Sequence, residues 1–233
     1  QILYCKHLPT INEFLRQPEY MGNSWGITYP SWRNKLLEMF SPGKRIFECV
    51  YRGAIGTGKT TIARRAAAYC IYRLCCLRNP HALFNIAPDT VISALMISVV
   101  LEQAEGTVFN PMLQMIRQTP CFKEVRKETS FSSFGPGDPV PFVKSGRRII
   151  FPNNILLTVG SNINHVVGQS SAIVVMDEAE EKNPKDAFYL YTAMRGRIKS
   201  RFLDSSLTMC SLISSSKSKN GMVWEYIKNI PIS

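Results

Sequence analysis

Residues 53–60 read GAIGTGKT, a glycine-rich turn that ends in a lysine and a threonine. The apolar run IFECVY at 46–51 precedes this turn, and a run predicted to be helical follows it at 59–77. A strand, a glycine-rich turn and a helix in this order form a phosphate-binding loop, or P-loop. Its backbone N–H groups and the positive end of the helix face phosphate oxygens. The stretch therefore predicts a nucleotide site on an α/β domain.

The residues of this loop have separate expected roles. Lys59 is expected to reach the β- and γ-phosphates, Thr60 to bind Mg²⁺ through its hydroxyl, and Thr61 to make a further phosphate contact. The predicted nucleotide-binding residues of the loop are Gly53, Ala54, Ile55, Gly56, Thr57, Gly58, Lys59, Thr60 and Thr61. ATP and Mg²⁺ are the expected cofactors. The alternative is an ordinary glycine-rich loop, which the strand before it and the helix after it make the weaker interpretation.

A pair of acids follows a second apolar run. Asp177 and Glu178 come directly after IVVM at 173–176, a run typical of a buried strand. The carboxyl end of that strand should lie beside the P-loop, with Asp177 on Mg²⁺, through water, and Glu178 as the base that orients and deprotonates the attacking water. The alternative is a solvated acidic helix cap, since Glu180 and Glu181 follow closely.

Apolar runs and chain breakers alternate along the rest of the chain, as is typical of a parallel sheet covered by helices. We predict strands at 46–51, 82–87, 172–177 and 207–214. We predict helices at 31–40, 59–77, 90–103, 111–118, 184–202 and 221–228. The predicted fold is α/β, a three-layer P-loop NTPase of the ASCE/RecA-like kind with a mainly parallel central sheet and helices on both faces.

Two stretches interrupt the alternation of strands and helices. Residues 128–141, ETSFSSFGPGDPVP, are rich in Ser, Gly and Pro and predict a surface loop. Residues 146–161, GRRIIFPNNILLTVGS, carry two apolar runs around a Pro-Asn-Asn turn and predict a β-hairpin or meander.

Composition narrows the partners of this chain. Among its 233 residues, 28 Lys and Arg face 17 Asp and Glu, a net charge of +11 that favours a polyanion such as nucleic acid. The apolar runs are shorter than the roughly 20 residues that cross a bilayer, so we expect a soluble protein with no membrane partner.

The seven cysteines show no repeated C-x-x-C pair, which favours reduced thiols over zinc. The start lacks both an initiator Met and a signal pattern, so a fragment of a longer chain is expected.

The order of these motifs resembles the ATPase domain of the large terminase subunit of tailed bacteriophages, and more distantly the motor core of superfamily 2 helicases. The resemblance covers nearly the whole chain. It rests on the stretches YPSWRNKLLEMF, GAIGTGKTT, FVKSGRRIIFPNNILLTVGS, HVVGQ, IVVMDEAE and LISSSKSKNGMVWEYIK. It implies a single ATPase domain over 1–233, with adenine-side lead-in helices at 1–45 and the P-loop core at 46–233. We expect residues 1–233 to exclude the nuclease domain of the full-length family and to have no nuclease activity, because Asp204 and Glu225 are the only acids after residue 200.

The resemblance also assigns roles to residues outside the two phosphate motifs. It implies that Tyr29 packs near the adenine, and that Ser214, Ser215 and Ser216 form a segment that couples loss of the γ-phosphate to movement. From the residues alone, such serines are equally typical of turns. Three positions differ from many terminases: Ile55 stands in place of an Arg in the P-loop, Val167 in place of an Arg before a glycine, and Trp32 in place of a glutamine.

A catalytic arginine is expected, because an Arg charge accelerates phosphoryl transfer by about 10³ to 10⁵. Arg52 is the candidate within the same chain, and the residues Arg195, Arg197 and Arg201 are candidates for a finger or for DNA contacts. A basic solvated helix face is the alternative for the latter three. Five further basic residues are candidate phosphate contacts on DNA: Lys144, Arg147, Arg148, Lys217 and Lys219.

The resemblance implies ATP hydrolysis that drives double-stranded DNA into a viral procapsid. Its implied partners are DNA, a portal protein, a small terminase subunit and other copies in a ring of about five subunits, whereas an isolated domain would be monomeric. The implied location is the cytoplasm of an infected bacterial host. Two alternatives remain open: a superfamily 2-like helicase or translocase, and a nucleotide-gated module that docks on a portal with little hydrolysis.

Overall fold

A computed structural model of the chain describes residues 4, 7–44, 46–98, 101–123, 148–160, 170–179, 183–202, 205–215, 223 and 226. The helices are α1 (Ile11–Arg16), α2 (Pro30–Met39), α3 (Lys59–Cys75), α4 (Pro80–Leu83), α5 (Leu101–Gln103), α6 (Asn110–Gln118) and α7 (Pro184–Phe202). A 3₁₀ turn lies at Gly22–Ser24, a π-helical segment at Ala104–Phe109, and a further helical stretch at 120–123. The strands are β1 (Glu48–Gly53), β2 (Ile92–Ile97), β3 (Arg148–Phe151), β4 (Ile155–Gly160), β5 (Ser170–Met176) and β6 (Met209–Ser215).

The six strands form one sheet in the order β1-β6-β5-β2-β4-β3. All neighbours are parallel except β3, which pairs antiparallel with β4 as the predicted hairpin. Asn153 and Asn154 both have positive φ between these two strands, a conformation that Asn tolerates in turns. Since β6 separates β1 from β5, the P-loop strand and the acidic strand are not direct neighbours. This order is expected of an ASCE/RecA-like domain.

Side chains of β5 alternate between two apolar clusters. Ile173 and Val175 pack in the cluster that contains α3, whereas Val174 and Met176 pack in the cluster that contains α7. Successive side chains of a strand point to opposite faces, so α3 covers one face of the sheet and α7 covers the other. The predicted three-layer α/β fold is therefore confirmed.

Residues 80–103 differ from the prediction. The expected strand at 82–87 begins instead as α4, because Pro80 fits the first helical turn and Asn79 caps it by accepting a hydrogen bond from Ala82 N at 3.0 Å. The expected helix at 90–103 contains β2, whose six residues are all buried. A mostly apolar run that is buried on both faces suits a central strand as well as a buried helix, so its periodicity does not separate the two.

The N-terminal helices pack on the α3 side of the sheet. Thr10 caps α1 in a capping box with Glu13, and Phe14 lies 5.1 Å from Tyr69 between ring centroids. Tyr69 OH donates to Pro9 O at 2.8 Å, which further ties this segment to α3. These contacts hold the lead-in to α2 beside the helix that begins at the P-loop.

Two composition-based expectations can be compared with the described residues. None of the helices in this part of the chain combines the length and the apolar character that a membrane span needs. The six cysteines among the described residues are free thiols, and five of them are buried. The predicted loop at 128–141 and nearly all of the predicted helix at 221–228 lie outside the described residues.

Candidate nucleotide-binding site

The P-loop connects the carboxyl end of β1 to the first turn of α3. Gly56 and Gly58 both have φ of 83°, the left-handed region that glycine adopts without a steric cost. Lys59 is 6% exposed, and its Nζ donates to Gly53 O at 2.9 Å and to Ala54 O at 2.7 Å. The ammonium group is therefore held inside the curl of the loop. It lies where the N–H groups and the helix end favour an anion.

The first turn of α2 and the residue before it contact the P-loop. Trp32 Nε1 donates to Thr57 O at 2.6 Å, and the Trp32 ring packs edge-on against Tyr51 with centroids 5.7 Å apart. Tyr29 is 59% exposed and lies against the loop, because a Cβ added to Gly58 would be 3.6 Å from its ring. Trp32 thus uses its single N–H on the loop backbone.

Asp177 lies at the carboxyl end of β5 and faces the first turn of α3. Thr60 Oγ1 donates to Asp177 Oδ1 at 3.3 Å, and Thr107 Oγ1 contacts Asp177 Oδ2 at 3.5 Å. Asp177 is 4% exposed. Burial raises the pKa of its carboxyl group, and the neighbouring charge of Glu178 raises it further. A carboxylate in this position favours binding of a cation.

Glu178 has a strained backbone and one defined partner. Its φ is 50°, a left-handed conformation that is uncommon for residues with a Cβ and that concentrates at functional sites. Ser215 Oγ donates to Glu178 Oε1 at 3.0 Å. Ser214 and Ser215 are both buried at the end of β6, and Ser214 Oγ donates to Ser215 O at 3.2 Å. The predicted base and two residues of the predicted coupling segment therefore meet at one edge of the sheet.

The oxygens around Asp177 suit Mg²⁺. This ion prefers hard oxygen ligands and keeps several of its waters, and Thr60 and Asp177 supply a hydroxyl and a carboxylate in direct contact. Ser98 follows β2 at the same edge, since Asp177 N donates to Ile97 O at 2.8 Å. The Ser98 hydroxyl is fully buried and has no hydrogen-bond partner within the described residues. These residues therefore fit a hydrated magnesium ion.

The arginine candidates lie in different places. Arg52 precedes Gly53 on β1 and pairs in register with Ser214 of β6. Arg195 Nε donates to Glu48 Oε2 at 2.9 Å, at the opposite end of β1 from the P-loop. On the same helix, α7, Arg197 is half-buried and Arg201 is exposed.

Only one of the five candidate DNA contacts lies within the described residues. Arg148 is exposed at the start of β3, the edge strand farthest from β1. The remaining candidates, and one coupling residue, lie outside the described residues: Lys144, Arg147, Lys217, Lys219 and Ser216.

Two arginines beside the site were not predicted from the sequence. Arg64 donates through Nε to Thr60 O at 3.3 Å and through Nη2 to Thr61 Oγ1 at 3.1 Å. Arg65 is 4% exposed, and its Nη1 contacts Thr28 Oγ1. The one available signal was two adjacent arginines inside the apolar helical run IARRAAA, which matches no known motif.

A glycine-rich loop on a mostly parallel sheet, with an acid of a nearby strand facing its threonine, defines a P-loop NTPase domain. The chain belongs to the family described as "Uncharacterized protein MJ0330, N-terminal P-loop domain", whose family model matches residues 34–231. No curated protein matches the chain. Among solved structures, the HK97 bacteriophage large terminase is similar in fold at 17% identity and a TM-score of 0.51. The match covers 86% of this chain and 36% of the terminase chain, so this chain spans about a third of that protein.

Proposed function

We propose that this domain hydrolyses ATP and that hydrolysis drives double-stranded DNA into a viral procapsid, as the motor part of a large terminase. The observation that carries the proposal is the contact of Thr60 Oγ1 with Asp177 Oδ1 at 3.3 Å. It joins the P-loop to an acidic strand end, and both residues supply oxygens that suit Mg²⁺. The terminase-like fold supports a packaging motor over an unrelated P-loop enzyme.

Each residue has a defined task in this proposal. Lys59 and the loop N–H groups bind the β- and γ-phosphates, and Thr60 and Asp177 hold the metal ion. Bound Mg²⁺ would neutralise charge that develops on the phosphate oxygens. Glu178 orients the attacking water and accepts its proton. Ser215 donates to Glu178, so β6 detects a change at the γ-phosphate through the base itself.

The source of an additional positive charge follows from where the arginines lie. Arg52 is one residue from the P-loop on β1, which makes it the candidate within the chain. Arg195 is paired with Glu48 five residues before the loop, a separation of about 16 Å along a strand. We therefore propose that Arg195, Arg197 or Arg201 acts on a neighbouring subunit or on DNA and not at the P-loop of its own subunit.

The proposed partners rest on charge and on the terminase likeness. A net charge of +11 favours DNA phosphates, and exposed Arg148 is a proposed contact within the described residues. We propose the same role for Lys144, Arg147, Lys217 and Lys219. A portal protein, a small terminase subunit and further copies in a ring are the proposed protein partners. Ring assembly would supply a trans arginine, so the isolated domain should turn over ATP slowly.

ATP turnover of wild type and Glu178→Gln, with and without duplex DNA, tests this function. We expect the variant to bind ATP but to lose at least about a hundredfold in turnover, because its amide cannot accept the proton. Glu19→Gln, an exposed change outside the site, is the control and should match wild type. Undiminished turnover in Glu178→Gln would remove the base assignment. Binding without turnover in wild type, even at high protein concentration with DNA, would favour a nucleotide-gated module instead.

A further inference from the structure

The end of β2 places a serine beside Asp177. Asp177 N donates to Ile97 O at 2.8 Å, so Ser98 lies opposite Asp177 at the carboxyl edge of the sheet. Met96 and Val175, two residues earlier on the two strands, pack in the cluster that contains α3. Side chains two residues apart along a strand point to the same face. Ser98 and Asp177 therefore both face α3, the helix that begins at the P-loop.

The Ser98 hydroxyl is an exception among the buried serines of this strand. It is fully buried and has no hydrogen-bond partner among the residues that the structure describes. Buried polar groups are nearly always hydrogen-bonded, because they lose their bonds to water on folding. Ser93 follows this rule, since it is buried and bonds to Ser171 Oγ at 3.0 Å. A buried hydroxyl without such a partner favours a ligand bound beside Asp177.

The helix after β2 contains an irregular turn that carries a second hydroxyl. Residues 101–118 are helical throughout, but Ala104–Phe109 forms a π-helical turn. Pro111 accounts for the irregularity, because in a regular α-helix its ring would clash with the carbonyl group of Thr107. Turns of this kind are rare and are frequent at functional sites. The buried side chains of the turn pack in the cluster that contains α3, on the same side of the sheet as Asp177.

Thr107 contacts the second carboxylate oxygen of Asp177. Thr60 Oγ1 donates to Oδ1 at 3.3 Å, and Thr107 Oγ1 lies 3.5 Å from Oδ2. Thr107 Oγ1 also lies 2.8 Å from Gln103 O, one turn earlier, and this bond holds the hydroxyl in place. The carboxyl group is therefore contacted at each oxygen by a different helical element, α3 and the π-helical turn.

We infer that Thr107 and Ser98 are positioning residues for the magnesium site, where Thr107 orients the carboxylate of Asp177 and Ser98 bonds to a water molecule of the hydrated ion. The inference rests on the proposed function, because it requires a nucleotide and Mg²⁺ at the P-loop. Residues that orient a metal ligand change metal affinity by about ten- to a hundredfold although they do not touch the ion. The segment between β2 and α6, which carries neither phosphate motif, thus controls how tightly the ion is held.

ADP binding measured by calorimetry, once with Mg²⁺ and once with EDTA, tests this role without a turnover assay. The ratio of the two affinities is the magnesium effect, which should be at least about tenfold in wild type because the ion links phosphate oxygens to Thr60 and Asp177. Thr107→Val keeps the branched shape and removes the hydroxyl. It should lose most of the magnesium effect and bind ADP in EDTA as wild type does. Thr107→Ser keeps the hydroxyl and should restore the effect, and Thr192→Val, at an exposed position of α7, is the matched control.

Ser98→Ala separates a ligand role from a structural one. Its hydroxyl has no partner within the described part of the chain, so the variant should resist urea at least as well as wild type. It should still weaken ADP binding in Mg²⁺ by about tenfold and leave binding in EDTA unchanged. Ser93→Ala removes a bonded hydroxyl from the same strand, so it should lose stability and keep the wild-type magnesium effect.

The outcomes distinguish this inference from the proposed function. A wild-type magnesium effect in both Thr107→Val and Ser98→Ala would overturn the inference alone. Equal weakening of ADP in Mg²⁺ and in EDTA by Thr107→Val would mean that the π-helical turn shapes the P-loop, and it would overturn the role of Thr107 as well. If wild type itself showed no magnesium effect, or bound no ADP, the proposed function would fail.

Discussion

Ser215 Oγ donates a hydrogen bond to Glu178 Oε1 at 3.0 Å, which joins the end of β6 to the acidic turn after β5. Ser215 is 4% exposed, so water replaces this bond poorly. Ser215→Ala should lower ATP turnover by about tenfold, because a hydrogen bond to a charged group contributes roughly 1.5–3 kcal/mol and here orients the base. ADP affinity should remain that of wild type. Steady-state turnover together with ADP calorimetry measures both quantities.

The control for this change is Ser93→Ala. Ser93 is also buried and bonds to Ser171 Oγ at 3.0 Å, but it lies near the start of β2, away from the P-loop. This variant should lose a similar amount of stability and keep its turnover. Equal turnover losses in the two variants would mean that Ser215 acts through general stability and does not position Glu178.

The parts of the site that could be predicted are those with local signals. Gly56 and Gly58 must reach positive φ, and Lys59 and Thr60 follow them directly, so the predicted phosphate motif is contained in eight consecutive residues. The acidic pair was equally accessible, because a buried strand delivers Asp177 to the carboxyl edge of a parallel sheet. Helix α7 was predicted with the bounds that it has.

The parts that could not be predicted depend on contacts between distant residues. Strand β2 is buried at every position because it lies between β4 and β5, and only the sheet order distinguishes it from a helix. The bond from Trp32 to Thr57 joins residues 25 apart. Arg64 lies beside Asp177 only because α3 passes over β5. No spacing in the chain encodes these contacts.

The substitution Arg195→Met tests whether Arg195, on the basic face of α7, has a structural or a catalytic role. Its Nε donates to Glu48 Oε2 at 2.9 Å, and Tyr226 OH donates to the other oxygen of Glu48. Arg195 and Glu48 are 38% and 17% exposed, so solvent weakens the pair. Arg195→Met should reduce the free energy of unfolding by about 1 kcal/mol and leave ADP affinity unchanged. Urea denaturation and calorimetry provide these measurements.

Arg201→Met is the matched control for this variant, because Arg201 is exposed on the same helix. We expect a change within about 0.5 kcal/mol, as for most surface substitutions. A large loss of turnover in the monomeric Arg195→Met protein, with no loss of stability, would contradict the structural role. A loss that appears only in assembled rings would instead identify Arg195 as a trans finger.

The thiols of Cys49, which is half-buried, and Cys70, which is buried, should react slowly. Burial raises the pKa of Cys49 to about 11 and that of Cys70 to about 12. The thiolate is the reactive form, so at pH 8 both residues should be alkylated at least about a hundredfold more slowly than glutathione. Reactivity should increase as the pH rises toward these values, and urea should abolish the protection. Mass spectrometry after timed iodoacetamide treatment measures each site, and fast labelling of Cys49 in the folded protein would contradict the prediction.

Trp32 should set the shape of the P-loop through one hydrogen bond. Its Nε1 donates to Thr57 O at 2.6 Å, while its ring packs against Tyr51. Trp32→Phe keeps an aromatic ring and removes the donor, so the loop carbonyl loses its partner. We expect a stability loss of about 1 kcal/mol and roughly tenfold weaker ADP binding, because the loop must then be ordered by the ligand. ADP binding should also change tryptophan fluorescence in wild type and change it much less in this variant.

Trp25→Phe separates this effect from a general loss of an indole. Trp25 lies under the guanidinium groups of Arg16 and Arg33, at 4.3 and 5.0 Å, and among the described residues its indole forms no hydrogen bond with the P-loop. This variant should lose stability through weaker cation–π contacts and keep wild-type ADP affinity and its fluorescence response to ADP. If Trp25→Phe weakened ADP binding as much as Trp32→Phe, or if Trp32→Phe bound ADP normally, the bond to Thr57 O would not control the nucleotide site. Weaker binding in Trp32→Phe alone means that α2 holds the phosphate loop in its binding conformation before the nucleotide arrives.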